Sequence, residues 1–173
     1  KIVDGKIYVN NGFWDTYRTA WPAYSLLYPE LAAELVDGFV QQYRDGGGIP
    51  LVMEYEGEVA GQLNVWGIAR GSLSSATIGY WVSERFAGRS ITPTSVALAT
   101  DLCFTELRLH RMEICIRPEN RASLRVVEKL GFRYEGLRRR YIHIDGDWRD
   151  HYAFALVREE VPEGVLDRWL SGR

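Results

Sequence analysis

RFAGRSITPTSVALATDLCF, residues 85–104, and PENRASLRVVEKLGFRYEG, residues 118–136, are the two stretches from which the rest of this chain is read. The first reads as a glycine-bearing loop that opens a helix. Such a loop aims unpaired backbone N–H groups at one point, and the helix dipole adds partial positive charge there, so the spot suits a pyrophosphate. Pro93 fits the first helical position, where its missing N–H costs nothing, with Thr92 as the N-cap. Gly88 lets an anion approach the backbone closely, because no Cβ stands in the way. Gly88 alone does not separate this reading from a loop that binds nothing.

The second stretch tips that balance. Asn120 reads as an N-cap, which puts Ser123 at the third position of a helix over 120–130. Leu124, Val127 and Leu130 share one face, and Gly131 stops the helix. Capping uses Asn120 and leaves the Ser123 hydroxyl free. The unit is strand (112–117), helix (120–130), strand (132–137), with a polar pair at the mouth of the helix.

On these residues the chain resembles a known superfamily. Arg85-Phe86-Ala87-Gly88-Arg89-Ser90 is similar to the R/Q-x-x-G-x-G/A pyrophosphate loop of the GNAT acyl-CoA N-acyltransferases, with Ser90 where the loop's last glycine or alanine stands. Pro118-Glu119-Asn120, Ser123 and Glu128-Lys129-Leu130-Gly131-Phe132 resemble the superfamily's second motif. Ile78-Gly79-Tyr80-Trp81-Val82 and Glu135-Gly136 narrow the likeness to the RimJ/RimL branch, the ribosomal-protein N-terminal acetyltransferases. The likeness runs from about Leu51 to Leu156.

The resemblance implies one α/β (α+β) domain over residues 1–173: a single mixed, mostly antiparallel sheet of about six or seven strands, flanked by helices, with splayed central strands. It implies direct transfer from acetyl-CoA to a primary amine. The pantetheine arm would lie between strands 76–83 and 112–117, pairing with backbone groups of Trp81, Val82 and Ser83 as an added strand would. The amides of Gly88, Arg89, Ser90, Ile91 and Thr92 would hold the pyrophosphate, with charge from Arg85 and Arg89. Asn120 would contact the arm, and Ser123 would protonate the departing thiolate.

The proton acceptor is left open. Where RimL-type enzymes carry a glutamate this chain has Tyr141, and where RimI-type enzymes carry one it has Cys115. Neither is a normal base at neutral pH. Glu113 shares a strand face with Cys115 and could act through water, or serve as the ion-pair partner of Arg117 or another cation. His143 titrates in the right range, and a water path to bulk would also serve. His143, Asp145, Asp147, Asp150 and His151 read as an Asp-rich hairpin turn in preference to a metal site, so no metal is expected. Arg138-Arg139-Arg140 reads as a solvated face.

Composition bounds the classes. The 173 residues are 46% hydrophobic, without excess Gly or Pro, which fits one folded domain and not a disordered chain. A net charge of −2 argues against broad nucleic-acid binding. No run reaches membrane-spanning length and no signal-peptide pattern opens the chain, which begins at Lys1 and leaves a preceding segment open. Two cysteines, Cys103 and Cys115, read as buried free thiols in a reducing cytoplasm. Residues 1–84 hold 5 Lys/Arg against 10 Asp/Glu, whereas residues 85–151 hold 13 against 9. An acidic front half suits an amine cation and a basic middle suits a polyanion.

The remaining elements follow from periodicity. A short strand is expected near residues 2–9, and an aromatic segment from Phe13 to Tyr28 is core or substrate groove. Leu31, Leu35, Phe39 and Tyr43 predict an amphipathic helix over 30–45. Hairpins are predicted around Glu56-Gly57 and around Asp145-Gly146-Asp147, the latter between strands Tyr141–Ile144 and Trp148–Leu156, and a helix from Pro93 to about Glu106 with Val96, Leu98, Leu102 and Phe104 circling its axis. A short helix near Val165–Leu170 ends the chain. The acceptor is read as a protein N-terminus, or alternatively a small amine or antibiotic, by a monomer or homodimer. A non-catalytic acyl-CoA sensor and a peptide-gripping adaptor are the rival readings.

Overall fold

A computed structural model describes residues 48–172. The predicted strand near 2–9, the aromatic segment 13–28 and the helix 30–45 lie outside them.

The elements are β1 (Ile49–Tyr55), β2 (Glu58–Ala69), β3 (Ser75–Val82), a 3-10 turn (Glu84–Phe86), α1 (Ile91–Thr105), β4 (Arg111–Ile116), α2 (Arg121–Leu130), β5 (Arg133–Ile144), β6 (Asp147–Val157), a second 3-10 turn (Arg158–Glu160) and α3 (Val165–Ser171). Among the described residues they form one six-stranded sheet in the order β1-β2-β3-β4-β6-β5. Every neighbouring pair is antiparallel except β3 and β4. The β3–β4 step needs a crossover, which α1 supplies.

Two tight turns set the outer hairpins. Glu56 and Gly57 (φ 53° and 81°) and Asp145 and Gly146 (φ 52° and 77°) each put two consecutive residues at positive φ. That backbone hand matches the twist of the flanking strands.

Two residues, Asp101 and Gly131, set helix ends. Asp101, on α1, accepts the Val165 and Leu166 N–H groups at 2.7 and 2.9 Å and so caps α3. Gly131 (φ 71°) ends α2 in the left-handed conformation. The core lies between the sheet and the helices, with Leu63, Ile78, Val96, Met112, Val127 and Leu156 almost fully enclosed.

Several expectations shift. Helix α1 begins at Ile91 with Ser90 as its N-cap, so Thr92 and Pro93 are its second and third residues. Pro93 is tolerated there because the first four N–H groups of a helix have no intrahelical partner anyway. Leu98 and Leu102 do not face the core: four residues apart, they share an outward face, 52% and 37% exposed. The strands predicted at 132–137 and 141–144 are one strand, β5, interrupted by a bulge where Arg138 pairs His151 and Ile142 pairs Arg149. Two residues more on β5 than on β6 lie between those pairs, so the chain bows outward. Arg140 (φ 48°) sits in the bow, and its N–H donates to Asp150 Oδ1 at 2.7 Å.

Candidate functional site

Strands β3 and β4 run side by side only from Ser75–Arg111 to Thr77–Glu113. Beyond Thr77 and Glu113 they part, while each keeps its other neighbour. The splay leaves a cleft of about 310 Å³, lined by Ile78–Tyr80 of β3, Ile114–Arg117 at the end of β4, Glu119, Asn120, Ser123, Ile144 and His151.

Hydrogen bonding fixes which backbone groups face that gap. Ser83 N–H donates to Ala60 O at 2.8 Å, and Ser74 O accepts from His110 and Arg111. Strand alternation then turns the N–H and C=O of Ile78, Tyr80 and Val82 towards the β4 side, and those of Trp81 and Ser83 towards β2. Of the three backbone units expected along this edge, only Val82 faces the gap. Tyr80 faces it too, and the sequence reading missed it. The direction of a backbone group is set by strand pairing, which the side-chain pattern does not report.

At the far end of β3 the loop from Ser83 to Ser90 turns into α1. Gly88 has φ 79°, and a Cβ built there would meet nothing within 4 Å. The requirement for glycine is therefore conformational, and the space beside it is open. Ser90, at the position of the loop's missing glycine, adopts φ 62°. The N–H groups of Gly88, Arg89, Ser90, Ile91 and Thr92 have no acceptor among the described residues. The first bond of the helix is Thr94 N–H to Ser90 O at 3.2 Å. Such donors, at and just before a helix N-terminus, suit an anion. Arg85 pairs with Glu58 at 2.7 Å and stacks on Phe86, with its guanidinium carbon 4.5 Å from the ring centre. Arg89 lies over Tyr55 at 5.6 Å. Both arginines are exposed beside the cradle.

Across the cleft, Asn120 Oδ1 accepts the Ser123 N–H at 3.1 Å, which fixes the first turn of α2. Ser123 is half-buried, and the Tyr80 hydroxyl donates to its carbonyl oxygen at 3.4 Å. Burial pushes the Tyr80 phenol well above its ordinary range, with its hydrogen bonding to Ser123 acting against that. Tyr80 thus supports Ser123 as a neutral hydroxyl.

Glu113 and Tyr141 are not among the residues that line the cleft. Glu113 sits between two guanidiniums, Arg111 Nε at 2.9 Å and Arg138 Nη2 at 2.6 Å. Burial acts to raise its pKa, but the bonds and charge of the two arginines outweigh it and hold the carboxyl below its usual range. A carboxylate so held is a weak proton acceptor. Arg138 also donates to Tyr141 Oη at 3.0 Å and approaches Cys115 Sγ at 3.4 Å. Arg138 is half-buried by these contacts, so the expected solvated face is confined to Arg139 and Arg140. The β5 bulge brings Arg138 and Tyr141 to the same partners, and a bulge has no periodic signature in sequence.

Cys103 is fully buried, and burial pushes its thiol up to about 11. Cys115 is only half-buried and faces the cleft. His151, read in the sequence only as part of an Asp-rich turn, is 3% exposed and lines the cleft. Its Nδ1 lies 3.0 Å from the Arg149 carbonyl, and the Tyr141 ring packs edge-on at 5.9 Å between centres. His143 is exposed, packed on Trp148 in the hairpin. Among the described residues no group of three His, Cys, Asp or Glu side chains gathers as a metal site, and no helix is long and apolar enough to cross a membrane.

An open strand edge, an anion cradle at its end and a half-buried serine across the gap suit an extended, amide-bearing ligand with a diphosphate. Comparisons with known proteins point the same way. Residues 11–133 match the family described as Acetyltransferase (GNAT) domain. The chain is 39% identical over 100 residues to a probable N-acetyltransferase, YjcK, of Bacillus subtilis, covering 58% of this chain and 55% of that protein. It is 29% identical over 109 residues to the ribosomal protein uS5-alanine N-acetyltransferase of Escherichia coli, covering 63% of this chain and 56% of that one. The chain thus spans little more than half the length of these two relatives. The structure of Mycobacterium smegmatis RimJ in complex with CoA-disulfide superposes with a TM-score of 0.75 at 39% identity, covering 84% of this chain and 68% of that one.

Proposed function

Because this chain belongs to the GNAT acetyltransferase family, we propose that it transfers the acetyl group of acetyl-CoA to a primary amine, and that the amine is the N-terminal α-amine of a protein, a ribosomal protein first among the candidates. The observation that carries the reading is the parting of β3 and β4 after Thr77 and Glu113, with the cradle of unpaired N–H groups at one end and Ser123 across the gap.

The residues fit the co-substrate. The outward-facing groups of Tyr80 and Val82 would pair with the arm's amides as a neighbouring strand would. The N–H groups from Gly88 to Thr92 would take the pyrophosphate, with Arg85 and Arg89 adding charge at the surface. Asn120 holds the first turn of α2 so that the Ser123 hydroxyl is available at the thioester. Acetyl-CoA supplies the activated acyl carbon; Ser123 would give a proton to the sulfur as the C–S bond breaks. Glu113 would serve this scheme as the anchor of Arg111 and Arg138, and Tyr141 as the partner of Arg138 and of the His151 ring. The acceptor class rests on relatives whose names carry ribosomal-protein acetyltransferase activity. A small amine or antibiotic is the alternative acceptor.

Calorimetric titration with acetyl-CoA, beside a Gly88→Trp control, tests the first half. Saturable binding that the control abolishes is expected; no binding to the intact protein would overturn the reading. A thiol-release assay over peptides beginning with Ala, Ser or Thr, and over polyamines and aminoglycosides, tests the second. Binding without release on any amine would leave an acyl-CoA sensor.

A further inference from the structure

We propose that His151 is the proton acceptor for the incoming amine, with Nε2 as the accepting atom. The inference rests on the acetyl-transfer reading above and names a residue for the one role that reading leaves empty.

Three observations carry it. The ring lines the cleft that Ser123 and Asn120 also line, so it reaches the same space. It is nearly enclosed, at 3% exposure, so it meets solvent and substrate only from the cleft. Its Nδ1 lies 3.0 Å from the Arg149 carbonyl oxygen. A carbonyl only accepts, so Nδ1 carries the proton and Nε2 carries the lone pair. No residue among those described takes Nε2. One nitrogen anchored as a donor and the other left as an acceptor, in a ring that lines the cleft, is the arrangement a histidine base requires.

The surrounding charges decide the state of the ring. From the end of β4 come Cys115 and Arg117, from the following turn Glu119, from β5 Arg138 and Tyr141, and from β6 itself Arg149 and Asp150. Burial lowers the His151 pKa and the Arg117 charge acts in the same direction, while the Arg149 carbonyl, Glu119 and Asp150 act against them; the net direction is down. The ring is therefore neutral at pH 7. The other candidates are spent or misplaced: Glu113 is clamped by two arginines outside the cleft lining, and His143 is on the exposed hairpin.

An N–H bond of the acceptor ammonium breaks, directly or through one water, and its proton goes to Nε2 while the electron pair stays on nitrogen. That pair forms the N–C bond at the acetyl carbonyl. As the C–S bond breaks, its electrons go to sulfur, which takes one proton. The second proton from nitrogen replaces the one Ser123 gave, and the imidazolium returns the first to solvent past Glu119 at the cleft rim.

The test is His151→Asn in the full chain, because an asparagine amide can still donate to the Arg149 carbonyl but offers nothing at the Nε2 position. With an acceptor peptide, kcat/KM at pH 7 is expected to fall by about 10²-fold or more. The loss should shrink towards pH 9, since the variant must wait for amine that is already deprotonated, and the acetyl-CoA dissociation constant should not move. A role confined to packing would lower the rate equally at all pH values or weaken acetyl-CoA binding. Unchanged kcat/KM and an unchanged pH profile in His151→Asn would overturn the proposal while leaving acetyl transfer standing. Long-range nitrogen–proton NMR of the wild-type protein gives a second reading that needs no turnover. A neutral ring protonated on Nδ1 at pH 7 is expected; an Nε2-protonated or charged ring at pH 7 would overturn it. Failure of the wild-type protein to bind acetyl-CoA would instead sink the acetyl-transfer reading.

Discussion

Gly61 lies against the backbone of Trp81 and Val82 so closely that a Cβ added to it would come within 2.9 Å of Val82 Cα, and closer still to the Trp81 carbonyl. Gly61 and Val82 are register partners across β2 and β3. Val82 in turn presents its other edge to the gap between β3 and β4. A side chain at 61 therefore presses on the strand that forms one wall of the cleft. Gly61→Ala is expected to destabilise the protein by about 1–3 kcal/mol and to weaken acetyl-CoA binding, read by urea unfolding and calorimetry together.

Gly88→Ala separates conformation from space. The position has φ 79° but open surroundings, so the added methyl clashes with nothing beyond its own backbone. The left-handed conformation costs an L-residue about 1–2 kcal/mol. The expected result is weaker acetyl-CoA binding with thermal stability lowered only by that amount, whereas Gly88→Trp should abolish binding by filling the cradle.

Ser123→Ala removes a hydroxyl but leaves the backbone N–H that Asn120 caps. Helix α2 should persist, acetyl-CoA should bind as before, and kcat should fall by about 10²-fold. Asn120→Ala, by contrast, should cost about 1 kcal/mol of stability through the lost cap and lower kcat through the displaced turn. Steady-state kinetics beside thermal unfolding distinguish the two.

Acid stability should report on Glu135. The Arg111 hydrogen bond, helped by Arg133, holds its carboxyl at about 2. The unfolded value is near ~4.3. Because the folded pKa is depressed, the stabilisation is fully present above the unfolded value and is lost as pH falls from there towards about 2. Glu135→Gln should be less stable than wild type at pH 7, and the gap should close as pH drops below about 4. Urea midpoints across that range measure it; a gap that stays constant with pH would contradict the ion-pair account.

Asp101→Ala should loosen α3. Its carboxylate takes the Val165 and Leu166 N–H groups, and its loss is expected to cost about 1–2 kcal/mol. Trp169 Nε1–H also donates to Thr94 Oγ1 on α1 at 3.1 Å. Tryptophan fluorescence during unfolding should show α3 releasing earlier in the variant.

The sequence alone determined what short-range physics controls. Asn120 caps α2 and Gly131 ends it because those preferences act over three or four residues. The Glu56-Gly57 and Asp145-Gly146 turns lie where the sequence marks them, and the ordered motifs from Arg85 to Gly136 identified the family. Tertiary structure decided what depends on partners distant in sequence. Pairing with β2 turns Val82 and Tyr80, not Trp81, towards the gap. The two-residue bulge in β5 carries Arg138 to Glu113, 25 residues away in sequence, and Tyr141 to His151. His151 itself read as one polar residue of a hairpin. Only the splay of β3 from β4 makes it the lining of a cleft, because that splay arises where one strand pairing ends while both strands keep their outer neighbours.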